Sequence, residues 1–181
     1  VLETSRLWRK VVTEISGSYP NVQLECLFID NAVVQMMMNP KQFDIILTDN
    51  MFGDILSDLG SVIIGSIGLL PSASVGNENA MFEPFHGSYP QAKGKNIANP
   101  VASIFSTVLM LQHFGLYEEA NAVAGAIQKS FVKGVTTTDI LGGEKYGTDY
   151  VGDYIADHIV DSDENPNIND ENIDLGRSTI I

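Results

Sequence analysis

Two aspartates in the stretch TDNMFGDILSDLGS, residues 48–61, are the residues of this sequence best suited to bind a ligand or take part in a reaction. Asp54 and Asp58 are four residues apart in a run with helical periodicity, so their carboxylates share one helical face. Like charges at this spacing repel each other by roughly a few tenths of a kcal/mol on an exposed helix. A cation or full hydration is therefore needed to offset this repulsion.

A third carboxylate, Asp30, ends the apolar run VQLECLFID. If that run is a strand, Asp30 lies at the carboxyl edge of a sheet, where ligands of open α/β folds collect. Together with Asp54 and Asp58 it would suit Mg²⁺ or Mn²⁺, because these ions take oxygen ligands and keep waters that a substrate can replace. The alternative is that Asp30 caps the following helix and that the other two aspartates are solvated surface charges. Spacing alone favours this alternative.

The second candidate is the segment EPFHGSYPQAKGKNIANP, residues 83–100. Gly87 and Ser88 offer backbone N–H and hydroxyl donors where a phosphate could approach closely. The segment has neither the GxGxxG spacing of a Rossmann fold nor the GxxxxGK[ST] of a P-loop. A lone histidine such as His86 is more often structural than functional, and no hydrolase motif surrounds Ser88.

Composition narrows the class of protein. The 181 residues carry a formal net charge of −13, which argues against nucleic-acid binding because such a surface cannot neutralise phosphates. No apolar run reaches the roughly 20 residues of a membrane span. A single cysteine, Cys26, excludes a disulfide framework, and its apolar neighbours predict a buried thiol. These features fit a cytoplasmic enzyme. Because a helical pattern runs almost from the first residue, the sequence is expected to be part of a longer protein.

The elements that must position these residues alternate between strands and helices. Helical spacing from Leu2 to Ile15 predicts a first helix. The runs 22–30 and 43–50 are predicted to be strands, separated by a helix that stops at Pro40. A further helix is predicted from Met51 to about Ile64. This alternation predicts an α/β sheet with both faces covered.

Residues 65–87 are rich in Gly, Ser and Pro but keep apolar residues, which predicts an ordered crossover with short strands and turns. Two helices then follow, with Gly115 and Gly134 at their C-caps. The residues expected to be buried are Val101, Ile104, Phe105, Val108 and Leu111 in the first helix, and Ala122, Ala126, Ile127 and Val132 in the second. The tail from Asp161 is acidic and is predicted to be mobile.

Four stretches occur in the order found in the β-decarboxylating dehydrogenases, so the chain resembles that family from Val1 to about Ile159. The LLPSASVG stretch is similar to the isopropylmalate-oxidising members and differs from the isocitrate-oxidising ones. The four stretches are TDNMFGDILSDL, GSIGLLPSASVG, EPFHGSYPQAKGKNIANP and TTDILGG followed by GTDYVGDYI.

The resemblance implies a two-domain α/β sandwich without a Rossmann fingerprint, present here as its C-terminal half. Residues 1–64 would belong to a substrate and dimerisation domain, 65–160 to a cofactor-binding domain, and 161–181 to an acidic tail. Family members are homodimers with an active site in the cleft between the domains. Asp54 and Asp58 match the metal-binding aspartates, and Asp30 matches a metal-binding and catalytic aspartate that reaches in from the partner subunit.

The resemblance also implies that the second candidate segment binds NAD, with Ala98 and Asn99 near the adenine. The residues that match the family's cofactor loop are Glu83, His86, Gly87, Ser88, Tyr89, Gln91, Ala92, Gly94, Ile97, Ala98 and Asn99. NAD-specific members usually carry Asp where this chain has Gln91, which weakens the expected discrimination against a 2′-phosphate. The family's catalytic Lys and Tyr belong upstream of Val1, so the chain alone is expected to be inactive.

The implied reaction is the oxidative decarboxylation of (2R,3S)-3-isopropylmalate to 4-methyl-2-oxopentanoate with reduction of NAD, a step of leucine biosynthesis. Two alternatives stay open at this point. One is a sister enzyme that acts on tartrate, malate or homoisocitrate, since the residues that contact the substrate's side chain are not in this sequence. The other is a dimerising chain without catalysis.

Overall fold

The computed structural model describes residues 2–142 and 144–159. The chain divides into two compact units, which meet in sequence between Pro40 and Lys41. None of the helices described is long and apolar enough to cross a membrane. The elements are α1 (Glu3–Ser16), α2 (Ile29–Met38), α3 (Asn50–Ile64), β1 (Pro71–Val75), β2 (Ala80–Pro84), α4 (Val101–His113), α5 (Tyr117–Val132), β3 (Val135–Thr136), β4 (Glu144–Lys145) and α6 (Thr148–Ile159).

The first unit contains α1 and α2, and both predicted helices are confirmed. α2 ends at Met38, two residues before Pro40, because proline cannot continue a helix. The apolar side chains of α1 include Leu7, Trp8 and Ile15, all of which are exposed in this structure. α1 thus forms as an amphipathic helix, with a substantial apolar surface still in contact with solvent.

The two strands predicted at 22–30 and 43–50 are wrong. Residues 23–28 and 43–49 form no strand, and Asp30 lies within the first turn of α2 instead of at a strand end. A strand exists only where a neighbouring strand accepts and donates its backbone hydrogen bonds, and the described residues supply none for either run. The predicted burial of Cys26 is wrong for the same reason, since it lies in a run that pairs with no strand among the described residues and its side chain is exposed.

The core of the second unit lies among α4, α5 and α6. Its fully buried side chains include Val108, Ile127, Val151 and Ile155. The other predicted core residues of α4 and Ala126 of α5 belong to this cluster or pack against it, whereas Ala122 is only partly buried and lies outside it. Val132 is 76% exposed, because it lies five residues after Ile127 and therefore about 140° around the helix axis.

The β1–β2 hairpin confirms the predicted ordered crossover. Its strands are antiparallel, with Pro71 opposite Pro84 and Val75 opposite Ala80, and it packs against α4. The predicted glycine ends of α4 and α5 are confirmed too, since Gly115 and Gly134 both adopt positive φ just past those helices. The hairpin matters for the site because β2 leads directly into the segment 83–99.

Two predictions about domain organisation stay predictions. The boundary at residue 64 concerns the two domains of a longer protein. The prediction of a mobile acidic tail concerns residues 161–181, which lie outside the described residues.

Candidate functional site

The paired aspartates lie on α3, as the sequence predicts. The helix begins after Asp49, whose carboxylate accepts a hydrogen bond from the Phe52 amide at 3.0 Å, a capping contact that fixes its start. It ends at Gly65, which adopts a left-handed φ of 98°. Asp54 and Asp58 are both exposed on this helix. They are therefore held on a rigid element with their carboxylates open to solvent.

The surroundings of these two carboxylates suit a cation. The carboxylate of Asp54 accepts a hydrogen bond from the side-chain nitrogen of Asn50 at 3.2 Å, which leaves most of its oxygen lone pairs free. The ion pairs found in the described part of the chain are Arg6–Glu3 and Lys10–Glu14, both on α1, so neither aspartate has a cationic side chain as partner there. No cationic side chain among residues 2–142 and 144–159 neutralises the pair, and exposed carboxylate oxygens are the donors that Mg²⁺ and Mn²⁺ prefer.

No three His, Cys, Asp or Glu side chains converge on one point within residues 2–142 and 144–159. Asp30, the predicted third ligand, lies in the first unit, where its Oδ1 accepts from the Asn31 amide at 2.9 Å. The prediction that Asp30 completes the site from a second copy of the chain stays a prediction.

The predicted cofactor segment, residues 83–99, begins with the last two residues of β2, Glu83 and Pro84, and continues as a loop to α4. Its path begins where the Phe85 amide donates to the Leu70 carbonyl at 3.0 Å. The Nδ1 of His86 lies 2.9 Å from the Gly87 carbonyl oxygen, which requires a proton on that nitrogen. The left-handed φ of 40° at Tyr89 turns the chain into a short 3₁₀ turn, Pro90–Ala92.

Most of this loop is exposed to solvent, as a ligand-binding loop must be. Ala92 is buried and anchors the 3₁₀ turn, whereas His86 and Asn99 are partly buried. The remaining predicted cofactor residues are exposed: Glu83, Gly87, Ser88, Tyr89, Gln91, Gly94, Ile97 and Ala98. The structure therefore places Glu83 in β2 and the other predicted residues on the loop that follows it, most of them exposed.

One anchor is Asp139, which sequence reasoning did not single out. Its carboxylate accepts hydrogen bonds from the hydroxyls of Ser66 and Thr137 and from the side-chain nitrogen of Asn99, the last at 2.9 Å. Burial raises the pKa of this carboxyl, but the three side-chain donors outweigh burial and hold the pKa below its usual value. Asp139 thus joins the end of the cofactor loop to two other segments of the second unit.

Asn99 itself is tightly constrained by this arrangement. Its side-chain oxygen accepts from the Val101 amide at 3.0 Å and so satisfies the first free backbone amide of α4. A Cβ added to Gly68 would lie 2.7 Å from the Asn99 Cβ, so only glycine allows this approach. The signal that could have found Asp139 was its place in the TTDILGG stretch, where an acid follows two hydroxyl residues.

The second anchor joins the loop to the start of α6. The Thr148 hydroxyl donates to the Ala98 carbonyl at 2.6 Å, and the Thr148 amide donates to the Asn96 carbonyl at 3.2 Å. The Asn96 side chain and Asp149 also hydrogen-bond to each other in both directions. The cofactor loop is therefore fixed from the β2 side, from the α4 side and from α6.

Comparison with known proteins places this geometry in a family. The model of the isocitrate/isopropylmalate dehydrogenase family matches residues 1–155. The chain belongs to this family. It is 54% identical over 141 residues to a 3-isopropylmalate dehydrogenase of Wolinella succinogenes, covering 77% of the chain and 39% of that relative. It is 52% identical over 141 residues to one of Thermotoga maritima, covering 77% of the chain and 40% of that relative.

Solved structures of the family share the fold of this chain. An isocitrate dehydrogenase of Methylococcus capsulatus superposes with a TM-score of 0.83 at 35% identity, covering 87% of the chain and 47% of that structure. A β-decarboxylating dehydrogenase of Thermococcus kodakarensis gives a TM-score of 0.75 at 38% identity, covering 88% of the chain and 47% of that structure. The predicted fold class and family are thereby confirmed, although the chain spans only about two fifths of the length of the curated relatives it matches.

Proposed function

We propose that the full-length protein is a metal- and NAD-dependent dehydrogenase that acts on (2R,3S)-3-isopropylmalate. The products would be 4-methyl-2-oxopentanoate, CO₂ and NADH, in a step of leucine biosynthesis in the cytoplasm. The observation that carries this proposal is the identity of about half of the aligned residues to relatives named 3-isopropylmalate dehydrogenase. The exposed acidic pair on α3 and the exposed loop that follows β2 give the proposal a physical site.

In this proposal Asp54 and Asp58 hold a divalent cation, and Asp30 of a second copy completes its shell in a homodimer. When bound, the cation would polarise the hydroxyl and carboxylate of the substrate, and NAD would accept the hydride. The contribution of α3 is rigidity: its capped start and its packed side, which buries Leu56, keep the two carboxylates at a fixed separation.

The loop residues 83–99 would bind NAD in the same proposal. Gln91 is exposed and can hydrogen-bond to ribose hydroxyls, whereas an aspartate there would also repel a 2′-phosphate. Lys93 and Lys95 are exposed a few residues away and can approach such a phosphate. We therefore expect a preference for NAD over NADP that is smaller than in relatives with aspartate at this position.

The substrate is tested by NADH formation with the full-length protein and Mn²⁺. 3-Isopropylmalate should give the highest kcat/KM, above isocitrate, tartrate, malate and homoisocitrate. Isocitrate is included because a solved structure similar to this chain is an isocitrate dehydrogenase. A higher kcat/KM for any of the other acids would reject the proposed substrate while leaving the dehydrogenase class intact.

The metal site is tested by calorimetry with Mn²⁺ in the absence of substrate. Asp54→Asn and Asp58→Asn should each weaken Mn²⁺ binding, and Asp157→Asn, which removes an exposed carboxylate from α6, should not. Asp30→Asn should weaken it only in the dimer. Unchanged Mn²⁺ affinity in Asp54→Asn and Asp58→Asn would overturn the assigned site.

A further inference from the structure

The cofactor loop contains an unusual backbone feature at Asn96. The non-glycine residues with positive φ among those described are Tyr89 and Asn96, and both lie in this loop. Asn96 adopts a φ of 53°, a left-handed conformation that asparagine tolerates better than most residues because its side chain can bond locally. Here the side chain bonds to α6 instead, so contacts from outside the loop stabilise this conformation.

The contact with α6 is a reciprocal pair of hydrogen bonds. The Asn96 amide nitrogen donates to Asp149 Oδ1 at 2.6 Å, and the Asp149 backbone amide donates to Asn96 Oδ1 at 3.1 Å. The fit is close, because a Cβ on Gly147 would lie 2.4 Å from the Asn96 side-chain nitrogen. The pair resembles a capping box that joins two segments, with the side chain of a loop residue satisfying a free amide at the start of a helix.

The helix that carries Asp149 is a firm support. α6 buries Val151 and Ile155, each only 1% exposed, in the core of the second unit. Asp149 Oδ1 also accepts from the Tyr150 amide at 2.7 Å, so the carboxylate is oriented by its own helix. The Asn96 side-chain donor, followed by the Tyr150 amide, lowers the pKa of Asp149, and the carboxylate is therefore charged at neutral pH. A negatively charged group at a helix N-terminus is stabilised by the helix dipole.

We propose that Asn96 and Asp149 are positioning residues for the dinucleotide, because together they hold the exposed residues Ile97 and Ala98 in their binding conformation before the cofactor arrives. This inference rests on the proposed function of the loop. Its physical content is preorganisation: a loop fixed in advance loses less conformational entropy when a ligand binds. The Thr148 backbone amide donates to the Asn96 carbonyl, so its hydrogen-exchange rate shows whether the loop stays bound to α6.

The test compares Asp149→Ala and Asn96→Gly with the parent and with Asp153→Ala in the full-length protein. Asp153 is exposed on the same helix, so its variant removes the same charge without touching the loop. Asn96→Gly keeps the left-handed conformation accessible and removes only the side-chain bonds. Asp149→Asn retains one acceptor oxygen and should restore part of the parent's behaviour.

Two measurements are made on each variant. In the absence of cofactor, hydrogen exchange at the Thr148 amide should become faster in Asp149→Ala and Asn96→Gly, although neither change removes that bond directly. NAD binding should weaken by about fivefold, with a higher KM for NAD and an unchanged kcat. The double variant should be no worse than either single variant, because both break the same contact.

The outcomes separate the inference from the proposed function. If the parent binds NAD and neither variant changes NAD affinity or Thr148 exchange, the positioning role is wrong. If exchange speeds up while NAD affinity stays the same, the contact is structural only and the inference fails. If the parent does not bind NAD at all, the proposed function fails, whereas the exchange result still decides whether the contact holds the loop.

Discussion

Replacing Asp139 tests how much the cofactor loop depends on a residue at its far end. In Asp139→Ala the Ser66 and Thr137 hydroxyls and the Asn99 amide all lose their shared acceptor. Thr137 is only 1% exposed, so water cannot easily replace the lost partner of its hydroxyl. Asn99 keeps its bond to the Val101 amide but loses the acceptor of its side-chain nitrogen, so its side chain is held less firmly at the start of α4.

The magnitude follows from these contacts. Buried hydrogen bonds to a charged group contribute about 1.5–3 kcal/mol each, but Asp139 as a whole is exposed and solvent screens it. We therefore take about 0.5–1 kcal/mol for each bond after discounting for this screening. For the three bonds together, the expected loss in the free energy of unfolding is about 1.5–3 kcal/mol for Asp139→Ala. Asp139→Asn keeps one acceptor oxygen and should lose about half as much.

The assay is urea unfolding followed by far-UV circular dichroism, with Asp157→Ala as a control that removes an exposed carboxylate from α6. The pH dependence gives an independent check. A pKa lowered in the folded state means that Asp139 contributes fully above its unfolded pKa, about 3.9, and that the contribution is lost as the pH falls through the lowered value. The difference between the parent and Asp139→Asn should therefore shrink below about pH 4. Equal stability of Asp139→Ala and Asp157→Ala at neutral pH would refute the reasoning.

Three further predictions use other parts of the chain. In metal-free buffer Asp58→Asn should raise the free energy of unfolding by roughly a few tenths of a kcal/mol, because it removes the repulsion with Asp54; a fall in urea midpoint would contradict this. Gly68→Ala should lower the unfolding free energy by about 1–3 kcal/mol because its new methyl meets Asn99. Gly152→Ala, where the added methyl meets nothing within 4 Å, should instead raise it by about 0.5–1 kcal/mol; equal thermal midpoints for the two variants would refute the packing argument. Gln91→Asp should raise the ratio of kcat/KM for NAD over that for NADP, and a parent enzyme that favours NADP would contradict the proposed cofactor.

The sequence predicted best what depends on local chemistry. α3 with its two aspartates, the two helices of the core and their glycine ends could all be predicted, because periodicity and caps are encoded within a few residues. The strands at 22–30 and 43–50 could not, since a strand requires hydrogen-bonding partners from elsewhere. The exposure of Val132 shows a similar limit, because hydrophobicity alone does not say which side of a helix faces the core.

The candidate site divides along the same line. Residues on one loop or one helix, such as Asp54 and Gln91, could be singled out from short motifs. The supports of the loop could not, because Asp139 is 40 residues from Asn99 and Asp149 is 53 residues from Asn96. Contacts at such separations are set by how α4, α5 and α6 pack, which no local pattern contains.

The irregular runs at 23–28 and 43–49 have a consequence for how this chain behaves in solution. Each carries exposed apolar side chains, including Leu24 in the first run and Ile45 and Leu47 in the second. Neither run pairs with a strand within the described residues, so each offers backbone donors and acceptors together with apolar side chains. Unpaired apolar segments of this kind can form β-structure with other molecules and so start aggregation. Aggregation of the 181-residue chain should therefore increase steeply with its concentration, and a peptide that pairs with either run should reduce it.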